Sequence, residues 1–369
     1  MSKRKNYSRS VLMALQESSF SLIRVKDRVV LGLTDGHSLS VKVKNIEKVV
    51  LAIGTSDGDL FSLENKSREK KFMANSIVGE IFFIETEGLS DLIKYYPFHQ
   101  FSPHVSVFIK HVEAMKLGDM LRLGAFHDDV ESSVSMLNEC VRRIREEVNG
   151  EEFIRQVSKE LRRVNKNYKE FREYIDALFR SYARLMVLRI DLSYLTMFCD
   201  GAPRGDAVTY EEVKTHREMM LRDLREKLLP DSLVGYAWKL EYGLEKNFHY
   251  HLMIFLDGSK VRQDVNIAMM IGEHWRTKIT RDKGNYYNCN AKRDGYRFCG
   301  IGMVNHFEEN KRLALYRAAM YLTKVDYYIK FVAPDGGKTF SKGNRPKPKP
   351  AGLGRPRVGG NMVHARVMS

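Results

Sequence analysis

Three short stretches of the chain alternate apolar and polar positions with period two, and each divides into one apolar and one polar face. In VLRIDLSY, residues 187–194, Leu188, Ile190, Leu192 and Tyr194 fall on one side and Arg189, Asp191 and Ser193 on the other. In VGYAWKLEYG, Tyr236, Trp238, Leu240 and Tyr242 alternate with Ala237, Lys239 and Glu241. In FHYHLMIF, residues 248–255, His249 and His251 share one face, while Phe248, Tyr250, Leu252 and Ile254 line the other. Successive strand side chains point to opposite faces, so all three read as strands. The turn GLEKN joins the second to the third. Centred on Glu245, it sets Glu241 opposite His249, and Lys239, Glu241, His249 and His251 then share one polar face.

The segments around these strands follow a helical period. TYEEVKTHREMMLRDLREKLL opens on Thr209 with Glu212 three residues on, the pattern of a capping box. Residues 261–280 read as a helix, YYNCN and YRFCGIGMV as strands joined around Asp294-Gly295, and EENKRLALYRAAMYLTKVDYYIK as a last helix. The order strand, helix, hairpin, helix, strand, helix predicts an α+β fold, a ferredoxin- or RRM-like domain around a central antiparallel sheet. A mixed, largely helical N-terminal region precedes it. There RVVLGL and SLSVKV flank the Asp35-Gly36 turn signal and read as a hairpin, and VVLAIG and IFFIE read as further strands. From residue 105 the period turns helical in VSVFIKHVEAM, HDDVESSVSMLNECVRRIREEV, EEFIRQVSKELRRV and YKEFREYIDALFRSYARLM. The expected divisions are an accessory region at 1–104, a helical connector at 105–164, the α+β domain at 165–335 and a disordered basic tail at 336–369.

Charge narrows the partners. A net charge of +15 and a pI near 9.5 point to a polyanion. The sequence holds no apolar run of the ~18 residues a bilayer span needs, and MSKRKNYSRS is not followed by a secretory apolar core, which predicts an intracellular protein with no membrane partner. The four cysteines form no CxxC pair and fit reduced thiols. Cys289 and Cys299, set across the Asp294-Gly295 turn with His306 nearby, raise the question of zinc; a small-residue pairing in a reduced strand answers it more simply. Two imidazoles and a carboxylate converging on one sheet face are a different matter. Glu241, His249 and His251 make a three-ligand divalent-cation site with open positions, the arrangement of catalytic rather than closed structural sites.

The last helix supplies a reactive group. At 100° per residue its apolar side is Leu315, Ala318, Ala319, Leu322 and Val325, and its opposite arc carries Arg317, Tyr321, Lys324 and Tyr328. A tyrosine flanked by two cations is a candidate nucleophile, because positive charge favours the phenolate. Tyr328 on the same arc is a second candidate, whereas Tyr316 lies about 140° away from Tyr321.

With HYH in a strand, a Glu on the preceding strand, RIDLSY as first strand and YLTK on a later helix, the chain resembles the HUH endonucleases that start rolling-circle replication. More narrowly, FRSYARLMVLRIDLSY, WKLEYG, FHYHLMIF and YLTK resemble, over roughly residues 165–332, the YagK/YfjJ-type domain of prophages, which is related to filamentous-phage replication proteins. The resemblance implies that Glu241, His249 and His251 hold Mg²⁺ or Mn²⁺, that Tyr321 attacks the scissile phosphate of single-stranded origin DNA to form a 5′-phosphotyrosyl link, and that Lys324 assists. It further implies a cytoplasmic location in a bacterial host, on a phage, prophage element or plasmid. No GxxxxGK[ST] loop is present, so unwinding and synthesis fall to a host helicase and polymerase. Arg189, Lys239 and Arg317 near the site are expected DNA contacts, and so are Lys342, Arg345, Lys347 and Lys349 in the tail, where residues 338–369 hold eight Lys or Arg and no acid. YYNCNAKRDGYRF could stack and track single-stranded DNA. The alternative is a non-catalytic RRM-like nucleic-acid-binding regulator.

Overall fold

The computed structural model describes residues 20–25, 28–33, 35–66, 69–123, 129–199, 207–243, 247–296, 299–324 and 328–346. The chain divides into two compact units, one of residues 1–164 with 325–330 and one of residues 165–324 with 331–369. Helices and antiparallel sheets make it an α+β protein. None of the described helices is long and apolar enough to cross a membrane.

In the first unit β1 (Phe20–Val25) pairs with β2 (Arg28–Leu33), β3 (Phe61–Lys66) pairs with β4 (Glu69–Ala74), and the short strand β5 (His99–Phe101) follows. The expected hairpin across Asp35-Gly36 is not formed, because Asp35–Thr55 is one helix that takes in both SLSVKV and VVLAIG. Its buried residues Leu39, Val43, Ile46, Val50 and Ile53 recur at three- and four-residue intervals, a helical stripe. IFFIE is likewise helical, inside Ile77–Glu87, whose first turn is capped by the Ser76 side chain accepting from Gly79 N. Residues 105–164 are no connector. Phe108 and Val112 of the helix Pro103–Ala114, and Leu137, Cys140, Val141 and Ile144 of the helix Val130–Asn149, are buried in the same core as Ile46, Ile53 and Phe82. Tyr328 is 2% exposed in that core, and its carbonyl accepts from Ser102 N at 2.9 Å.

The second unit is built on a six-stranded antiparallel sheet. β6 (Arg184–Tyr194), β7 (Leu233–Glu241) and β8 (His249–Asp257) form its centre in the order β6, β8, β7. β9 (Gly284–Asn288) and β10 (Gly302–Asn305) both pair with the free edge of β6, and Phe340–Lys342 pairs with the outer edge of β7. The alternation read from the sequence sets the layers. Leu188, Ile190, Leu192, Trp238, Leu240, Tyr250, Leu252 and Ile254 pack with buried residues of Tyr210–Asp223 and Asp264–His274, including Val213, Met220, Ala268 and Ile271. The capping box of Thr209 and Glu212 opens the first of these helices. On the other face Leu185, Val187, Ala237, Met253 and Phe255 meet Phe171, Tyr174, Ile175 and Leu178 of the continuous helix Glu151–Ser181, together with Leu315, Ala319 and Leu322 of Glu309–Lys324.

Two expectations are corrected here. YYNCN and YRFCGIGMV do not form a hairpin; the strands Gly284–Asn288 and Gly302–Asn305 lie end to end along β6, and the Asn290 side chain fills the break, its Oδ1 accepting from Arg189 N at 2.9 Å and its Nδ2 donating to Val187 O at 3.0 Å. The basic tail begins later than residue 336, because Phe340–Lys342 is an edge strand and Gly343 N still donates to Tyr236 O at 2.9 Å.

A close contact ties the helix Glu151–Ser181 to the sheet. A Cβ on Gly235 would lie 2.4 Å from Tyr174 Oη and 3.1 Å from Leu178 Cδ1. Gly235→Ala is therefore expected to lower stability by about 1–3 kcal/mol through overpacking, read as an earlier denaturant midpoint with unchanged slope. A variant as stable as the parent would place this helix elsewhere.

Candidate metal and nucleophile site

The register across the sheet assembles the site. Glu241 is paired with His249 and Lys239 with His251 on β7 and β8, as the centring of the turn on Glu245 required. β6 adds Asp191 opposite His251, β9 adds Tyr287 opposite Asp191, and the edge strand adds Phe340 opposite Lys239. Paired residues of a sheet share a face, so one row reads Tyr287, Asp191, His251, Lys239, Phe340.

Two ring nitrogens are fixed by hydrogen bonds that leave the other nitrogens facing one carboxylate. His251 Nδ1 is 2.6 Å from Asp191 Oδ1, and His249 Nδ1 is 3.0 Å from the carbonyl of Asn247. Asn247 enters the strand with φ +48°, in the left-handed region that Asn tolerates better than most residues. With both Nδ1 atoms donating, a tautomer assigned from these partners, the Nε2 lone pairs of His251 and His249 point to Glu241 Oε2 at 3.2 and 3.4 Å. Donors ~2.1 Å from a shared cation and ~90–110° apart are separated by about 3.0–3.4 Å, so the trio fits a divalent ion. Among the described residues this is the one group of three or more His, Cys, Asp or Glu with donor atoms close enough to hold a metal. Cys289 and Cys299 are not brought together by a hairpin, and His306 Nδ1 lies 3.0 Å from the Ala183 carbonyl.

The electrostatics agree with that chemistry. Burial disfavours charge on all three central groups, yet their mutual attraction prevails. Asp191 is held well below the usual carboxylate range by His251 and Arg189, and Glu241 by His251, His249 and Lys239. The same two carboxylates outweigh burial at His251 and raise its imidazole to about 9. The pocket is thus built to keep a positive charge between Asp191 and Glu241, and a bound cation would take the place of that proton.

Tyr321 completes the site. It is half-buried on Glu309–Lys324, with its ring centroid 6.0 Å from that of His251 in an edge-to-face arrangement and Arg189 Cζ 4.8 Å above its ring. Arg189 Nε is 3.7 Å from Asp191 Oδ1, so the arginine spans the tyrosine and the carboxylate beneath. The other helix tyrosines are elsewhere. Tyr316 is buried, its hydroxyl donating to Asp176 and pushed up to about 12 by burial and by that carboxylate. Tyr328, past the last described residue of this helix, is not the exposed second candidate expected: it is buried in the core of the first unit.

The expected DNA contacts divide three ways. Arg189 belongs to the site itself, and Arg317 is exposed. Lys239 is only 1% exposed and bears on the site as a charge behind Glu241 instead of as an outer contact. Lys342 and Arg345 are ion-paired with Glu170 and Glu173 at 3.7 and 2.8 Å, whereas the Lys324 side chain, Lys347 and Lys349 lie outside the described residues. The sequence reading gave no task to Asp191 or Asn247, the residues that aim the two histidines. Asp191 was visible on the polar face of VLRIDLSY, but its partner was not, because pairing of β6 with β8 is non-local.

No curated protein and no solved structure matches the chain. The sequence profile of the YagK/YfjJ C-terminal domain matches residues 150–340, more than half of the chain, covering the sheet, the paired histidines and the tyrosine helix. The chain belongs to the YagK/YfjJ C-terminal domain family.

Proposed function

We propose that the chain is a metal-dependent endonuclease and strand transferase of the HUH type that nicks single-stranded origin DNA of a phage, prophage element or plasmid and so starts rolling-circle replication. The observation that carries this reading is the meeting of Tyr321 with His251: a nucleophile-bearing ring from the helix abuts the trio able to hold a cation. The strand order, with β8 between β6 and β7 and the last strands on the far edge of β6, supports a ferredoxin-like arrangement of the HUH kind.

In this mechanism Glu241, His249 and His251 would hold Mg²⁺ or Mn²⁺, with Asp191 and the Asn247 carbonyl fixing the imidazoles behind them. The ion, when bound, supplies Lewis-acid polarisation of a non-bridging phosphate oxygen. The Tyr321 oxygen attacks phosphorus, the bond from phosphorus to the 3′-oxygen breaks, and the phenolic proton ends on that oxygen. The products are a 5′-phosphotyrosyl strand and a 3′-hydroxyl primer, and no oxidant or energy source is consumed, so attack by a 3′-hydroxyl restores the strand. Arg189, placed over the tyrosine ring, stabilises negative charge that develops on the phenolic and phosphate oxygens.

The direct test is cleavage of single-stranded DNA tiled across the replicon that encodes the chain, with Mn²⁺ or with EDTA. The expected result is a unique nick bearing a 3′-hydroxyl, formed only with metal. Binding without cleavage under Mg²⁺ or Mn²⁺ would contradict the enzyme and leave a nucleic-acid-binding regulator.

A further inference from the structure

The row that contains Asp191 and His251 does not end at β6. It continues on β9 to Tyr287, which is 40% exposed on the side of the site away from Glu241. Neighbouring strands lie ~4.8 Å apart, so the Tyr287 backbone is about 10 Å from that of His251, between one and two nucleotide steps along a single strand. A second exposed aromatic follows nine residues on. Tyr296 is 39% exposed, and its side chain and that of Tyr287 both interact with Cys289, two residues beyond Tyr287, whose own amide donates to the Arg189 carbonyl at 3.2 Å. Between the two tyrosines the short helical turn Asn290–Gly295 presents exposed Lys292. Tyr287 is held to β6 by its pairing with Asp191, and Cys289 by its bond to Arg189, so the exposed part of the Tyr287 ring is carried on a fixed edge of the sheet. A pair of exposed tyrosines beside a cation is the equipment of a surface that stacks bases and tracks a backbone.

We propose that Tyr287 and Tyr296 form a stacking platform for the unpaired bases next to the scissile phosphate, on the β9 side of the site. The inference rests on single-stranded DNA being the substrate, and it assigns one flank of that substrate to named residues. Two stacked bases on this platform hold the strand so that the next phosphate falls over His251 and Tyr321. Recognition of this kind uses the π-face that every base has, so it favours unpaired DNA over duplex without reading sequence.

The test uses the full chain in EDTA, so that cleavage plays no part, with two labelled probes: a twelve-nucleotide oligothymidylate and an abasic strand of the same length, which keeps the phosphates and lacks the bases. Wild type should bind the oligothymidylate more tightly. Tyr287→Ala with Tyr296→Ala should weaken it by roughly 5- to 150-fold per base unstacked while leaving the abasic strand unchanged, and the double Phe variant should restore binding because the rings remain. Mn²⁺ affinity should be the same in all three proteins, which shows the histidine site intact. Equal wild-type affinity for the two probes, an unchanged oligothymidylate affinity in the double Ala variant, or an equal loss on both probes would overturn the platform. Failure of metal-dependent nicking with the base preference retained would remove the endonuclease and keep the platform.

Discussion

His251→Ala is expected to abolish metal-dependent cleavage, by about 10³-fold or more, while DNA affinity in EDTA stays within a few-fold of wild type. The imidazole is one of three converging donors and the one wedged between two acids, so its removal leaves Asp191 and Glu241 facing each other without the charge that separates them. Asp191→Asn separates positioning from ligation. The amide keeps the size of the carboxylate and loses its charge, so the imidazole is still present but is no longer held by an anionic acceptor. Metal affinity should fall 10- to 100-fold, the usual effect of removing an outer partner of a ligating histidine, and cleavage should return at high Mn²⁺. His251→Ala should not be rescued in that way. Mn²⁺ titration of both variants by calorimetry, alongside nicking rates, checks the pair. Wild-type affinity in Asp191→Asn would mean that the short contact to His251 has no bearing on the ion.

The sheet was the legible part of this chain because it is buried unequally on its two faces. Leu188, Ile190 and Leu192 on one strand and Tyr250, Leu252 and Ile254 on another cannot slip by one residue without exposing the whole set, so the alternation fixes which side chains share a face. A short hairpin fixes register by counting, and Glu241 opposite His249 followed from the turn alone. The N-terminal unit was misread for a related reason. SLSVKV, VVLAIG and IFFIE are short β-branched or aromatic runs, and over six residues a buried helix and a strand look alike; the stripe Leu39, Val43, Ile46, Val50, Ile53 appears only over a window of fifteen. Tyr328 misled in the opposite direction. Helical periodicity carries on past Lys324 in the sequence, but nothing local announced that Tyr328 and Ile329 are buried in the core of the other unit. Strand order, and with it the link from Asp191 to His251, is decided by packing between segments sixty residues apart, and no local pattern records it.

Tyr321→Phe removes one oxygen and leaves the ring that packs against His251 and Arg189, so the expected loss of about 10⁴-fold or more in cleavage is chemical and not a failure to fold. Tyr316→Phe is the matched control. It deletes a buried hydroxyl that donates to Asp176, on the helix Glu151–Ser181, and accepts from Arg312, and it should cost on the order of 1 kcal/mol of stability while cleavage continues. The measurement that reaches the central claim is the identity of the residue carrying the DNA. Incubated with the nicked strand and Mn²⁺, the wild-type protein should yield a species that survives boiling in detergent, and peptide mapping should find a 5′-phosphate ester on Tyr321. An adduct mapped to Tyr316, Tyr327 or Tyr328, or one formed at wild-type yield by Tyr321→Phe, would contradict the assignment of the nucleophile.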